Sequence, residues 1–274
     1  MSNLPSPKAF KDFSLSFVDG YVAATEPKEF DLQGYDTALK SAAKSKDRNL
    51  IINKLNSLID SVIMKCDTEM SRKIFHRFIG YSKKHDSLTI TLYDPDNVPK
   101  AIAIRSAADG SGNIVKWKTY GAKTFIAYRI QGSPFVFTAS GMAEVLLFEL
   151  LELDYFLLQS DSIVKSLGVN VQWKAIKELL DKKLVIYLLD NDDSSKAAYE
   201  AFKALYPKSI AIDFEMMWDR DLPHGYDFRD FCNQIAREFN AKEPGLQKSV
   251  YSTITMSLFL EIEKHFVVPM EKIL

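Results

Sequence analysis

The stretch from Leu184 to Asp193, with the sequence LVIYLLDNDD, constrains the fold of this chain more than any other feature. Six apolar residues follow one another and then stop at three carboxylates. A strand that is covered on both faces needs no alternation of polar and apolar residues, so this pattern predicts a buried central strand. Asp190 and Asp192 then follow its carboxyl end, where open α/β sheets carry their chemistry. Two such carboxylates repel each other unless a cation lies between them, and oxygen ligands favour Mg2+ or Mn2+.

Strand and helix patterns alternate from Phe135 onward. The predicted strands are FVFTA, DYFLLQ, LVIYLLD and SIAIDF, and the helices between them are GMAEVLLFELLE, residues 171–182 and residues 194–206. Such alternation is typical of a parallel sheet with helices on both faces, which is an α/β fold. Further helices are predicted over residues 227–239 and, as one long helix or a pair, over residues 246–266.

The preceding part of the chain predicts an α+β subdomain. Residues 1–35 suggest an arm with one strand near residues 13–23, and an apolar helical face follows over residues 50–63. A second helix is predicted from about residue 68 to residue 81. From residue 87 the period changes to two, and SLTITLY, KAIAIRS, IVKWKTYG and TFIAYRI predict a small antiparallel meander. We therefore expect a basic subdomain over residues 1–133, an α/β domain over residues 134–237 and a helical extension over residues 238–274.

Charge divides the chain into two contrasting halves. Residues 1–133 carry 20 Lys and Arg against 14 Asp and Glu, a net charge of +6, while residues 134–274 carry 15 against 22, a net charge of -7. The overall value of -1 argues against a protein that coats nucleic acid by bulk electrostatics. A basic half joined to an acidic half is suited to holding a polyanion on one side and metal ions on the other.

The remaining composition narrows the class of protein. Hydrophobic residues make up 47% of 274 residues, which is enough for a real core and excludes a disordered chain. Cys66 and Cys232 are too few for a structural zinc site or a disulfide framework. The first residues, MSNLPSPKAFKDF, lack the apolar core that a signal peptide requires, and acidic residues interrupt the richest apolar run, residues 145–158. We expect a soluble cytoplasmic protein with no membrane partner.

Basic residues decorate the last strands of the predicted meander. They alternate with aromatic residues, as a groove for single-stranded nucleic acid requires, since aromatic faces stack bases while cations neutralise phosphates. An ordinary sheet with a solvated basic face explains the same pattern equally well. The basic residues are Arg105, Lys116, Lys118 and Lys123, and the aromatic ones are Trp117 and Tyr120.

Three acidic clusters follow the predicted parallel strands: Glu144 after the first, Asp190 with Asp192 after the third, and Asp227 with Asp230 after the fourth. Together they can converge on one edge of the sheet. Each also has a simpler explanation, because acidic residues in the first turn of a helix are favoured by the helix dipole and aspartates cap helices. The ordered set is far more specific than any single member.

The order strand, SGMAE, strand, LLDNDDSSKAAYEAF, strand, GYDFRDF resembles the Toprim domain of bacterial and phage DNA primases. The consensus of that domain runs roughly E-G-x-x-D, D-x-D-x-x-G and G-K-D-x-N-D, and the resemblance covers residues 134–237. The upstream stretch LYDPDNVPKAIAIRSAADGSGNIVKWKTYG is similar to the basic subdomain before Toprim, which places Arg105, Lys116 and Lys118 where template and nucleotide are bound.

The resemblance implies roles for single residues. Gly141 takes the place of the motif glycine, and the implied catalytic residues are Glu144, Asp190 and Asp192. The implied metal ligands for two Mg2+ ions are Glu144, Asp190, Asp192, Asp227 and Asp230. Three positions depart from the motifs: Ser140 stands at the hallmark glutamate, Tyr226 at a lysine and Ser195 at a glycine. A serine cannot take a proton at neutral pH or hold a metal as a carboxylate does.

The resemblance implies a primase-like protein that binds single-stranded DNA, nucleoside triphosphates and divalent metal. Its expected reaction is RNA primer synthesis for a plasmid, phage or other mobile element, without its own zinc-ribbon or helicase module and with a replicative helicase as a possible partner. Two alternatives remain open. The departures at Ser140 and Tyr226 favour a Toprim module that has lost catalysis and retains nucleic-acid or partner binding. A metal-dependent Toprim nuclease is the other alternative.

Overall fold

The structure is a computed structural model, and it describes residues 74, 77–82, 87–97, 99–105, 117–121, 124–242 and 247–266. The chain divides into two compact units, residues 1–128 and residues 129–274. The predicted arm, its strand and the helical face over residues 50–63 lie outside the described residues.

The first unit contains an antiparallel sheet of four strands in the order β1-β2-β3-β4. The strands are β1 (Ile79–Ser82), β2 (Ser87–Tyr93), β3 (Pro99–Arg105) and β4 (Trp117–Gly121). Ile90, Leu92 and Ile102 are fully buried on its two middle strands. The meander over these middle strands and β4 is confirmed.

Two boundaries in this region were predicted wrongly. The helix expected to reach residue 81 is already a strand at Ile79, because Gly80 weakens a helix and the segment pairs with β2. The stretch TFIAYRI forms β5 (Ala127–Arg129), an edge strand of the second sheet rather than the last strand of the meander. In this position Arg129 donates to Glu149 Oε2 and to the Leu153 carbonyl, both at 2.9 Å. A period of two predicts a strand but not its partner.

The second sheet has five strands in the order β5-β7-β6-β8-β9. Its further strands are β6 (Phe135–Ser140), β7 (Tyr155–Leu158), β8 (Leu184–Leu188) and β9 (Ser209–Ile212). Strand β6 pairs in parallel with β7 and β8, and β8 pairs in parallel with β9. Residues 185–188 of β8 are buried, so the buried strand predicted from LVIYLLDNDD is confirmed.

Helices flank this sheet, and the α/β class is confirmed. They are α1 (Glu144–Leu150), α2 (Asp161–Leu167), α3 (Val171–Leu179), α4 (Asp193–Leu205), α5 (Phe214–Trp218), α6 (Phe228–Lys242) and α7 (Gln247–Lys264). The stretch over residues 246–266 forms a single helix rather than a pair. Helices α2 and α5 were not predicted, because two turns or fewer hold too few apolar residues to show a helical period.

Aromatic side chains hold the helices against the sheet. Trp173 of α3 and Phe202 of α4 lie 5.7 Å apart between ring centroids, and both contact Phe156 of β7. Phe202 also packs on Tyr187 of β8 at 5.6 Å. Burial of each such ring contributes about 2–3 kcal/mol, so this cluster fixes α4 at the end of β8. None of the described helices is long and apolar enough to span a membrane.

Candidate acidic site at the ends of strands β6 and β8

Gly141 makes the turn from β6 into α1 and sets the position of Glu144. Its φ is +140°, a conformation that favours glycine, and its N–H donates to the Leu158 carbonyl at 2.9 Å. A Cβ at this position would overlap the Glu144 carboxylate. The side chain of Glu144 therefore lies over the glycine at the carboxyl end of β6, and only 4% of the residue is exposed.

The loop from Asp190 to Asp192 follows the neighbouring strand β8 and is held by the start of α4. Asp192 caps this helix, because its Oδ1 accepts from the Ser195 N–H at 2.7 Å. The Ser195 hydroxyl is fully buried and accepts from the Asp190 N–H at 3.0 Å. The serine at the motif glycine thus has a role of its own: it ties the two ends of the aspartate loop together.

Asn191 joins this loop to the segment before α6. Its N–H donates to the Tyr226 carbonyl at 2.7 Å, and its carbonyl accepts from the Gly225 N–H at 2.8 Å. The Asn191 side chain donates to Glu215 Oε1 and to the Leu222 carbonyl, both at 2.9 Å. These bonds hold Gly225 and Tyr226 against the loop, which places Asp227, the next residue along the chain, at the acidic site.

Asp190 is a half-buried carboxylate without a compensating partner. In the part of the chain that the structure describes, no side chain or N–H group donates to its carboxylate. Burial and the nearby carboxylates raise the pKa of Asp190 to about 8. The carboxylates, in decreasing order of effect, belong to Glu144, Asp227, Asp161 and Asp192. The structure therefore brings four of the five predicted metal ligands into one electrostatic cluster.

The fifth predicted ligand, Asp230, acts in the first turn of α6. Its Oδ2 accepts from the Asp227 N–H at 3.3 Å, and its own N–H donates to Asp227 Oδ1 at 3.0 Å. These reciprocal bonds satisfy N–H groups that have no partner within the helix. Burial and the neighbouring Asp227 raise the pKa of Asp230.

Ser140 and Tyr226, the two departures from the family motifs, are both hydrogen-bonded. Ser140 Oγ donates to Asp161 Oδ1 at 2.5 Å, and Ser194 Oγ of α4 donates to Asp161 Oδ2 at 3.0 Å. The Tyr187 hydroxyl lies 3.3 Å from Ser140 Oγ. Tyr226 is buried and donates to Gln234 Oε1 at 2.9 Å, so its hydroxyl is engaged with α6.

Two residues of the site were missed from the sequence, Asp161 and Arg229. Arg229 Nη2 lies 2.6 Å from Asp227 Oδ2, and Arg229 Nε lies 3.5 Å from Glu144 Oε1. A basic residue between the two aspartates of GYDFRDF was the available signal for Arg229. Asp161 carries no such signal, because its place depends on the short helix α2 that the pattern did not show.

The donor set of the acidic site has the ligand chemistry of a divalent cation. All of its groups are hard carboxylate oxygens, and the unpaired carboxylate of Asp190 next to Asp192 suits one such ion. Arg229 already engages Glu144 and Asp227. No group of three or more His, Cys, Asp or Glu side chains within the described ranges is arranged as a metal site. The carboxylates thus have the chemistry of cation ligands, but among the described residues they are not arranged as a ready metal site.

The predicted nucleic-acid residues belong to the first unit. The register of the sheet places Arg105 opposite Trp117 and Lys118 opposite Ile104. Lys116 and Lys123 lie outside the described residues. Binding of single-stranded DNA by these four residues stays a prediction.

No family model matches this chain. No curated protein matches it either. Among solved structures, the primase fragment of the bacteriophage T7 primase-helicase protein is similar with a TM-score of 0.41 and 14% identity, over 67% of this chain and 70% of that one. The Aquifex aeolicus primase, comprising its zinc-binding and RNA polymerase domains, is similar with a TM-score of 0.41 and 13% identity, over 84% of this chain and 63% of that one.

Proposed function

We propose that this chain is a primase-like Toprim protein that binds single-stranded DNA and a divalent cation and transfers nucleotides in RNA primer synthesis. The observation that carries the proposal is the half-buried Asp190 carboxylate, which has no donor among the described residues and lies among further carboxylates at the end of a central parallel strand. Such a group calls for a cation. The order of the acidic motifs along the sequence supplies the reaction class.

Asp190 and Asp192 would hold the ion, which is Mg2+ or Mn2+. When bound, it supplies neutralisation of the charge that develops on a triphosphate. Asp192 also caps α4, so a variant at this position tests the helix as well as the site. Arg229 and the turn at Gly141 hold Glu144 in place. We therefore assign the ion to the Asp190 end of the cluster.

The basic first part of the chain would bind the other substrates. We assign single-stranded DNA and nucleoside triphosphates to residues 1–133, with Arg105, Lys116, Lys118 and Lys123 as their ligands. The acidic residues 134–237 would hold the ion, and residues 238–274 extend the domain. The charge difference between the halves supports this division. The negatively charged carboxylate cluster repels the negatively charged phosphates until an ion is bound. A plasmid, phage or other mobile element, with a replicative helicase as partner, suits this activity.

A second candidate function is a Toprim module that binds nucleic acid or a partner without catalysis. The contacts of Ser140 favour it: the serine stands where the family carries its glutamate, and its hydroxyl is bonded to Asp161 instead of being directed to a substrate. The first candidate function includes catalytic turnover and the second does not, whereas both include binding.

One experiment separates the candidates. The chain is incubated with single-stranded DNA, labelled nucleotides and Mn2+, and one gel shows both primer synthesis and cleavage of the template. We expect primers that disappear in the double variant Asp190→Asn/Asp192→Asn and persist in the matched variant Asp193→Asn, whose side chain is exposed. Cleavage instead of primers would identify a nuclease. Binding without either product would identify the non-catalytic module.

Mn2+ binding is measured on the same variants by calorimetry. The double variant should lose it, because two carboxylate ligands become amides. Unchanged Mn2+ binding in that variant would place the ion elsewhere and remove the main support for the proposed function.

A further inference from the structure

Arg229 lies in a place that its own helix disfavours. It is in the first turn of α6, where the helix dipole is positive and a cation is unfavourable. Within α6, the carboxylate of Asp230 in the same turn offsets this cost only in part. Two carboxylates from outside α6 do compensate for it. They belong to Glu144 of α1 and to Asp227 of the loop before α6.

The two carboxylates are themselves poorly hydrated and depend on a counter-charge. Their side chains are 5% and 13% exposed, and that of Arg229 is 24% exposed. A buried carboxylate without a cation is strongly unfavourable. Burial opposes the charged form of Arg229, but Glu144 and then Asp227 outweigh it and raise the pKa of the guanidinium. It therefore carries its charge throughout the ordinary pH range.

Glu144 cannot easily turn away from this contact. Its carboxylate lies so close over Gly141 that a Cβ there would overlap it. Asp227 is equally restricted, because its Oδ1 accepts from the Asp230 N–H at 3.0 Å while its Oδ2 contacts Arg229. The guanidinium thus sits between two fixed carboxylates in the way that a bridging divalent ion would.

We propose that Arg229 is an internal cation of the acidic site, and that its guanidinium takes the position of one of the two divalent ions that the sequence motifs imply. The chain consequently binds one ion, at the Asp190 end, and has no vacant place for a second. The count of one ion rests on the proposed function, whereas the role of Arg229 does not.

The test removes the charge of Arg229 and counts Mn2+. In Arg229→Gln, the vacated place should accept one additional Mn2+ per chain, measured by electron paramagnetic resonance of free and bound Mn2+. Without Mn2+ this variant should melt lower than the wild-type chain, on the order of 5–10 °C, because Glu144 and Asp227 lose the positive charge of the guanidinium. Saturating Mn2+ should restore most of that loss, since the ion replaces the guanidinium.

Three variants serve as controls. Arg229→Lys keeps the positive charge and should take up no additional Mn2+, although it loses the second contact of the fork. Arg237→Gln removes an exposed arginine of the same helix and should bind Mn2+ as the wild-type chain does. Glu144→Gln/Arg229→Gln removes both partners together and should show neither the additional Mn2+ nor its stabilising effect.

An Arg229→Gln chain with the same Mn2+ count as Arg237→Gln and no stabilisation by Mn2+ would overturn the proposal. A chain that stays unfolded at every Mn2+ concentration would overturn it too, because the ion was expected to replace the guanidinium. Additional Mn2+ in Arg229→Gln supports the role of Arg229 even if the wild-type chain binds none. A wild-type chain that binds no Mn2+ would refute the proposed function but not the role of Arg229.

Discussion

The Asp190 carboxylate should make the stability of the metal-free chain fall steeply with pH. Its pKa rises from 3.8 to about 8 on folding because of burial and the surrounding carboxylates. The folded-state pKa is thus above the unfolded-state value, so the folded chain binds the extra proton between about pH 4 and about pH 8. The free energy of unfolding then decreases as the pH rises through that range.

The magnitude follows from the difference between the two pKa values. Each pH unit within the range costs about 1.4 kcal/mol, so ionised Asp190 destabilises the fold by about 4 kcal/mol at pH 7. Asp190→Asn removes the ionisation. It should therefore be more stable than the wild-type chain at pH 7 in a chelating buffer, and about equally stable at pH 4.

Urea denaturation at pH 4 to 8, followed by circular dichroism, measures this difference. Asp193→Asn serves as the matched control, because it removes an exposed carboxylate of the same loop region. Saturating Mn2+ should abolish the advantage of Asp190→Asn, since an ion neutralises the carboxylate in the wild-type chain. Parallel stability curves for the wild-type chain and Asp190→Asn across this pH range would refute the reasoning.

Three further changes have defined outcomes. Ser140→Ala should cost about 1–2 kcal/mol in urea denaturation through its lost bond to Asp161, whereas Ser140→Glu should lower metal-free stability by repulsion and bind Mn2+ more tightly in calorimetry. Gly141→Ala should cost about 2–4 kcal/mol by the same denaturation measurement, because of its positive φ and the overlap with Glu144; an effect below about 0.5 kcal/mol would contradict the described turn. Lys116→Ala/Lys118→Ala should reduce the slope of log affinity for single-stranded DNA against log salt by about 1.4, with Lys174→Ala/Lys177→Ala as a control that leaves it unchanged.

Much of the second unit was predictable because its signals are local. Strand β8 was recognised from an unbroken apolar run, and the alternation of strands and helices gave the parallel sheet. The position of Asp190 follows directly, since a residue after a central strand lies at the edge of the sheet.

The parts that were missed depend on contacts between distant residues. Ser195 looked like the mild loss of a glycine, but its hydroxyl accepts from the Asp190 N–H. Asp161 belongs to the site only because α2 begins next to Ser140, its hydrogen-bond donor 21 residues earlier in the chain. No period or spacing encodes such a contact, which arises when neighbouring strands end side by side.

The strand TFIAYRI shows the same limit in the first half of the chain. Its alternation correctly indicated a strand, while the structure places that strand next to β7 in the second sheet, where Arg129 forms an ion pair with Glu149. Pairing partners are a property of the packed chain, so a pattern of period two leaves them open.

The hydrogen bonds of Asn191 give the acidic site an order of assembly. The loop that carries Asp190 and Asp192 is fastened to residues 222–226, more than thirty positions further along the chain. A ribosome therefore releases the aspartates well before the segment that secures them has been made. During that interval Asp227 is absent from the cluster, so its repulsion of Asp190 does not oppose the early folding of the sheet. The carboxylate with the second-largest effect on Asp190 thus joins the site only after strands β6 to β9 have been synthesised.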